Sequence, residues 1–127
     1  MINKKIFYIL PCYNEELNLN KLLNDFNDFY KNKDFSIQIV IVDDGSKDNS
    51  LSVIRKFKKK NYSKKIKITV LKHKKNLGLG DSLKDGFNYC TSMGSSKDLI
   101  ISMDCDNSHT VELSYKMAMK IIKNNYD

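Results

Sequence analysis

The stretch Leu99-Ile100-Ile101-Ser102-Met103-Asp104-Cys105-Asp106 is an apolar run that ends in two carboxylates one residue apart. Read as a strand buried on both faces, it places both acids at the carboxyl rim of a sheet, where open α/β folds bind ligands. An Asp-x-Asp pair at that position suits a hard divalent cation. Mg²⁺ or Mn²⁺ takes oxygen ligands, and one or two carboxylates plus the phosphates of a nucleotide complete such a shell.

Three further apolar runs have the same character: Ile6 to Leu10, Ile37 to Val42 and Ile66 to Leu71. Between the runs the period changes to a helical one. Leu19, Leu22, Leu23, Phe26, Phe29 and Tyr30 recur at helical spacing, as do Leu51, Ile54 and Phe57, then Leu83, Phe87 and Cys90, then Leu113, Met117 and Ile121. Strand followed by helix, four times over, predicts βαβ units and a mostly parallel sheet flanked by helices. Asn14, Ser46 and Thr110, each shortly before an acid, are the expected helix caps. The alternation ends after its fourth unit at Tyr126-Asp127 without a closing strand, so residues 1–127 are expected to be one partial domain of a longer protein.

Hydrophobic residues at 41% and charged residues at 29% exclude a disordered chain. No apolar run approaches the roughly 20 residues that span a bilayer, and Ile6 to Leu10 is too short for a signal-peptide core. The expected location is cytoplasmic. Cys12, Cys90 and Cys105 are odd in number and lack paired metal-ligand spacing, so they read as reduced thiols. The net charge is +7, and 11 of the 22 basic residues lie between Arg55 and Lys75. That run reads as a solvated face rather than a specific nucleic-acid site, because lysine supplies a point charge where phosphate recognition recruits arginine.

Each strand end carries polar chemistry. Pro11 ends the first strand by removing a ladder donor, and the following loop offers Tyr13 either as a stacking face for a base or as a rim aromatic over the core. The second strand ends in Asp43-Asp44-Gly45-Ser46, with one acid expected to cap the turn and Asp44 to contact a ligand. After the third strand, Asn76-Leu77-Gly78-Leu79-Gly80 leads into a helix. It lacks the lysine of a Walker loop and the third glycine of a dinucleotide fingerprint. Gly78 and Gly80 fit either a tight turn or a backbone that approaches a phosphate. His109, beyond the Asp-x-Asp, reads as a hydrogen-bonded loop residue.

Together, Leu10-Pro11-Cys12-Tyr13-Asn14-Glu15-Glu16, Ile41-Val42-Asp43-Asp44-Gly45-Ser46, Asn76 to Gly80 and Met103-Asp104-Cys105-Asp106 resemble the nucleotide-sugar-binding half of family-2 glycosyltransferases of the GT-A fold. The segment Asp106-Asn107-Ser108-His109 is similar to that of the polyprenyl-phosphate branch. The resemblance implies a Rossmann-like α/β domain and a donor site for a UDP- or GDP-sugar. Pro11, Tyr13 and Glu15 would line the nucleotide pocket and Asp44 would bind the base edge. Gly78, Gly80 and Cys105 would also lie against substrate. Asp104 would lie near the ribose and the ion, and Asp106 would be the principal ligand of Mg²⁺ or Mn²⁺. Ser108 stands where that branch has a glutamine that reaches the metal, and Thr110 replaces an expected proline. A catalytic base is expected in the half that is missing, so this piece should bind donor without transferring it, be peripheral to the inner membrane face, and self-associate. The alternative class is a receiver-like signalling module, but its acidic pair follows the first strand, whereas here the pair follows the second. A lysine-rich polyanion binder is the third class, and it predicts salt-dependent binding.

Overall fold

The computed structural model describes residues 5–60 and 65–124, so the expected end of the last helix at Asn125-Tyr126-Asp127 lies outside the described residues. Four strands and four helices alternate: β1 (Lys5–Cys12), α1 (Glu16–Tyr30), β2 (Ser36–Asp43), α2 (Ser50–Lys60), β3 (Ile66–Lys72), α3 (Leu79–Met93), β4 (Leu99–Ser102) and α4 (Val111–Asn124). The sheet is parallel throughout, in the order β3-β2-β1-β4. The chain builds outward from β1 to β3, then returns to place β4 on the other side of β1. The direction of winding therefore reverses between β1 and β4, and at such a switch point the carboxyl ends of neighbouring strands part to leave a crevice.

Alternate residues of β1 explain why its run is continuously apolar. Ile6, Tyr8, Leu10 and Cys12 pack against α1, α2 and α4, while Phe7 and Ile9 pack with Val40, Val42 and Cys90 beneath α3. On the first face, the hydroxyl of Tyr8 lies 2.6 Å from that of Tyr30 and 2.7 Å from that of Ser114, and Ser114 donates to the Val111 carbonyl at 2.6 Å. This hydroxyl chain ties α1, β1 and α4 with no buried donor wasted. On the second face α3 comes close because Gly86 has no side chain. A Cβ there would stand 2.5 Å from Ile9 Cγ2.

Three expectations need correction. Pro11 does not end β1, which runs on to Cys12 with Pro11 opposite Val42. The Ile9 carbonyl accepts from Met103 N and the Cys12 carbonyl accepts from Asp44 N, so Pro11, two residues from Ile9, turns its missing donor toward β4. The β4 pairing has already stopped at Ser102, and nothing is lost there. The helical period is right in α3 and α4: in α3 Leu83 and Cys90 pack inward as expected and, of the three, Phe87 alone is exposed, Gly86 taking the inward place beside it, whereas in α4 the phase is off, with Leu113 and Met117 exposed and Val111, Ser114 and Ala118 facing inward. Close packing on Ile9 and the inward hydroxyl of Ser114 outweigh side-chain size. Asn14 and Ser46 do not cap helices. They cross-tie two loops, Ser46 Oγ lying 3.0 Å from Asn14 N and Asn14 Oδ1 accepting from Lys47 N at 2.8 Å. Asp48 takes over as cap, accepting from Ser50 N at 2.9 Å and from Glu16 N at 3.1 Å. Thr110 caps α4 as expected, its hydroxyl accepting from Leu113 N at 3.1 Å.

Candidate functional site

The carboxyl ends of β1 and β4 and the start of α3 enclose a cavity of about 220 Å³ lined by Pro11, Leu79, Leu83, Ser102, Met103, Asp104 and His109. It lies at the switch point. A larger hollow of about 510 Å³ between α1 and α2 is lined by Asn20, Asn24, Asn27 and Lys56 among others, and none of the strand-end acids reaches it.

The Asp-x-Asp is held by its middle residue. Cys105 is 2% exposed, packed in the core with its thiol against that of Cys12, while Asp104 and Asp106 on either side are exposed. An inward Cys105 turns both acids outward. Cys105 is thus an anchor and not a surface contact, which corrects its assignment to the substrate-facing set. Asn107 fixes the next step of the chain, adopting a φ of 62° and donating to the Asn18 carbonyl of α1 at 3.1 Å. Ser108 turns back on Asp106: its N–H donates to Oδ1 at 2.9 Å and its hydroxyl adds a second bond. The Ser108 hydroxyl is the main cause that lowers the Asp106 pKa, with the Ser108 N–H next. Asp106 is therefore an exposed carboxylate kept ionised, the state a hard cation requires. Among the described residues no group of three or more His, Cys, Asp or Glu gathers into a ready metal cage. Two outward carboxylates fit an ion that draws its remaining oxygens from phosphate and water.

At the end of β2 the two acids differ in their partners. Asp44 is 4% exposed: Oδ1 accepts from Leu77 N at 2.8 Å and lies 2.8 Å from His73 Nδ1, and Oδ2 accepts from Gly78 N at 2.9 Å, which leaves one acceptor site of Oδ2 open. Burial pushes its pKa up, but the bonds from His73, Leu77 and Gly78 outweigh burial and leave it lowered. Asp44 thus ties the loop before α3 to the end of β2, and the Gly78 N–H is engaged by it. Asp43, opposite Cys12, is fully buried and neither of its carboxylate oxygens has a partner. An orphaned buried acceptor of this kind carries a penalty of about 1–3 kcal/mol, which a ligand N–H would relieve.

Tyr13 is 41% exposed, so its ring is free to receive a flat partner. Glu15 is half-buried with Oε2 accepting from Asn18 Nδ2 at 2.8 Å. Gly80, in the first turn of α3, has open space where a side chain would stand. The structure brings Pro11, Asp104 and His109 around one cavity, and the sequence reading gave no role to His73. Spacing could not have found it, because what marks it is the possession of two carboxylate partners.

The chain is thus a parallel α/β sheet with a cavity at its switch point and paired acids on the rim. The chain belongs to the family Glycosyl transferase family 2, whose profile matches residues 8–127. It is 29% identical over 131 residues to the UDP-N-acetylglucosamine--dolichyl-phosphate N-acetylglucosaminyltransferase of Methanococcus voltae, covering 96% of this chain and 49% of that protein. Its fold matches the crystal structure of S. aureus TarS 1-349 in complex with UDP-GlcNAc with a TM-score of 0.70 at 24% identity, over 94% of this chain and 31% of that one. It also matches the mannosyltransferase PcManGT from Pyrobaculum calidifontis in complex with GDP-Man and Mn²⁺, with a TM-score of 0.65 at 18% identity, over 84% and 28% of the two chains. These are GT-A folds, as the sequence motifs implied. The receiver-like alternative is set aside by the family match. The chain spans about half or less of the length of the curated relatives it matches. No helix among the described residues is long and apolar enough to cross a membrane.

Proposed function

We propose that this domain holds the donor of a glycosyl transfer, a UDP- or GDP-sugar with Mg²⁺ or Mn²⁺, for delivery to a polyprenyl phosphate at the cytoplasmic face of a membrane. The observation that carries the reading is the pair Asp104 and Asp106, exposed on either side of a buried Cys105, with Asp104 lining the switch-point crevice and Asp106 two residues beyond it. The names of the relative and of the fold neighbours, a dolichyl-phosphate transferase and complexes with UDP-GlcNAc and with GDP-Man and Mn²⁺, support the same donor and acceptor classes.

In this reading Asp106 and Asp104 hold the ion, Ser108 orients Asp106, and Tyr13 stacks on the base. Asp44 binds the base edge through the acceptor capacity left on Oδ2, and Asp43 is the second acceptor of the pair. A bound divalent cation supplies Lewis acidity at the departing diphosphate. Pro11 and Leu79 wall the crevice against water on its apolar sides. The reading is tested by thermal shift with UDP, GDP, CDP and their sugars, each with Mn²⁺ and with EDTA. Stabilisation by none of them would refute it. Self-association through the short edge strand β4 belongs to the same proposal, since an edge presents unpaired backbone groups; sizing chromatography of the 127-residue chain checks it.

Two substitutions separate the nucleotide contacts. Tyr13→Ala is expected to weaken nucleotide binding by about 1–3 kcal/mol with or without cation, the worth of one base–aromatic stack, as read by calorimetry. Asp43→Ala is expected to act with opposite signs on the two states. Removing two unpartnered buried oxygens should raise the stability of the ligand-free domain, by up to about 1–3 kcal/mol, and should weaken nucleotide binding. Urea unfolding with and without UDP or GDP measures both, and a loss of stability without loss of affinity would make Asp43 a structural acid.

A further inference from the structure

His73 leaves the sheet one residue after β3 ends, its N–H extending the ladder to the Asp43 carbonyl at 2.9 Å. Its side chain is 9% exposed and stands between two carboxylates, Nδ1 at 2.8 Å from Asp44 Oδ1 and Nε2 at 2.7 Å from Asp85 Oδ2 of α3. Ionised carboxylates only accept, so both ring nitrogens satisfy their partners only when both carry protons. The geometry is that of an imidazolium. Asp44 in turn accepts from Leu77 N and Gly78 N, the last residues before α3 begins at Leu79. A single chain of charge-assisted bonds thus runs from α3 through His73 and Asp44 to the loop backbone, and the residue that follows that loop, Leu79, lines the crevice.

We infer that His73, as the imidazolium, is a positioning residue that holds the Asn76 to Gly80 loop and the start of α3 in the arrangement that receives the donor nucleotide. The inference rests on the donor-site reading for its functional half alone; the tie between ring and loop stands on the distances. The ionisable groups facing the ring are Asp44 from β2 and Asp85 from α3, while Lys72, Lys74 and Lys75 beside it in sequence are exposed. The bond to Asp44, then that to Asp85, raises the His73 pKa above its ordinary 6.5. A raised folded value means that the tie is fully present below 6.5 and is lost as pH rises through the folded pKa. Asp44, held below its ordinary 3.8, keeps its end of the tie well into acid. The alkaline limb therefore belongs to His73.

The test uses the full 127-residue chain as wild type, His73→Gln and His73→Arg. Exchange of the Leu77 and Gly78 amides is followed by NMR across pH, and UDP and GDP affinity with Mn²⁺ by calorimetry over the same range. Wild type should lose amide protection and nucleotide affinity together as pH rises. His73→Gln, neutral at every pH, should show both losses already at low pH, with an affinity about tenfold weaker, the equivalent of about 1.4 kcal/mol. His73→Arg, charged throughout and able to bridge two carboxylates, should restore both and remove the alkaline limb; titration of the nucleotide phosphates is common to all three proteins and cancels. If nucleotide binds and His73→Gln keeps the wild-type affinity and pH profile, the positioning role is overturned. If Leu77 and Gly78 follow His73 but no nucleotide binds at any pH, the donor-site reading fails and the functional half of the inference fails with it.

Discussion

Asp106→Ala is expected to abolish the cation-dependent part of nucleotide stabilisation while leaving the fold intact. In the wild type, UDP or GDP at about 100 times its dissociation constant should add roughly 2.7 kcal/mol by mass action, a rise in Tm on the order of 10 °C for a domain of this size. Most of that gain should appear with Mn²⁺ and be lost with EDTA, because in the proposed reading the rim carboxylates would hold the ion, and the remainder is the cation-independent contact with the base. The variant should show the EDTA behaviour under both conditions. Asp106 is exposed and its hydrogen bonds reach no further than Ser108, so its removal takes nothing from the core. Full cation-dependent stabilisation in Asp106→Ala would place the ion elsewhere. Ser108→Ala should give a partial effect in the same direction, since it removes the hydroxyl that helps to orient the Asp106 carboxylate while the bond from the Ser108 N–H remains.

Burial on both faces holds for the central strands β1 and β2, whereas the edge strands β3 and β4, expected to be buried in the same way, are only half-buried because each has a sheet neighbour on one side alone. Val40, Ile41 and Val42 are apolar in unbroken succession because α1 lies on one side and α3 on the other, and no alternation pattern competes with that reading. The rim is different. Asp43 and Asp44 are chemically identical neighbours on opposite faces of one strand end, and what separates them is a loop more than 30 residues later that donates two N–H groups to one and none to the other. His73 follows the same logic: a histidine after a strand is uninformative until Asp44 and Asp85 are seen on its two nitrogens. In Asp104-Cys105-Asp106 the spacing was legible, but the inward thiol that aims the acids was not, because a cysteine between two charges carries no mark of burial. The phase of α4 was misread for a related reason, since Ser114 is turned inward by a hydroxyl on another element.

Gly45→Ala is expected to cost about 2–5 kcal/mol, the sum of about 1–2 for a left-handed residue that gains a Cβ and about 1–3 for overpacking. Gly45 follows the acid pair with φ at 73°, and a Cβ there would stand 2.5 Å from the Lys75 carbonyl carbon, 2.7 Å from Asn76 N and 2.8 Å from Lys75 Cα. All three are backbone atoms, so no side chain can swing aside. Relief comes only by moving the Lys75-Asn76 segment, which runs directly into Leu77 and Gly78, the residues whose N–H groups Asp44 holds. Stability and nucleotide affinity should therefore fall together. Gly80→Ala is the control within the same site. It lies in the first turn of α3 with nothing within 4 Å of the added Cβ and no positive φ, and the change should stabilise the domain by about 0.4–1 kcal/mol through a less flexible unfolded chain. Urea denaturation of the two variants reads the contrast directly. A Gly45→Ala protein within about 1 kcal/mol of wild type, with unchanged nucleotide affinity, would show that the turn after Asp44 and the loop before α3 do not press on each other as the structure has them.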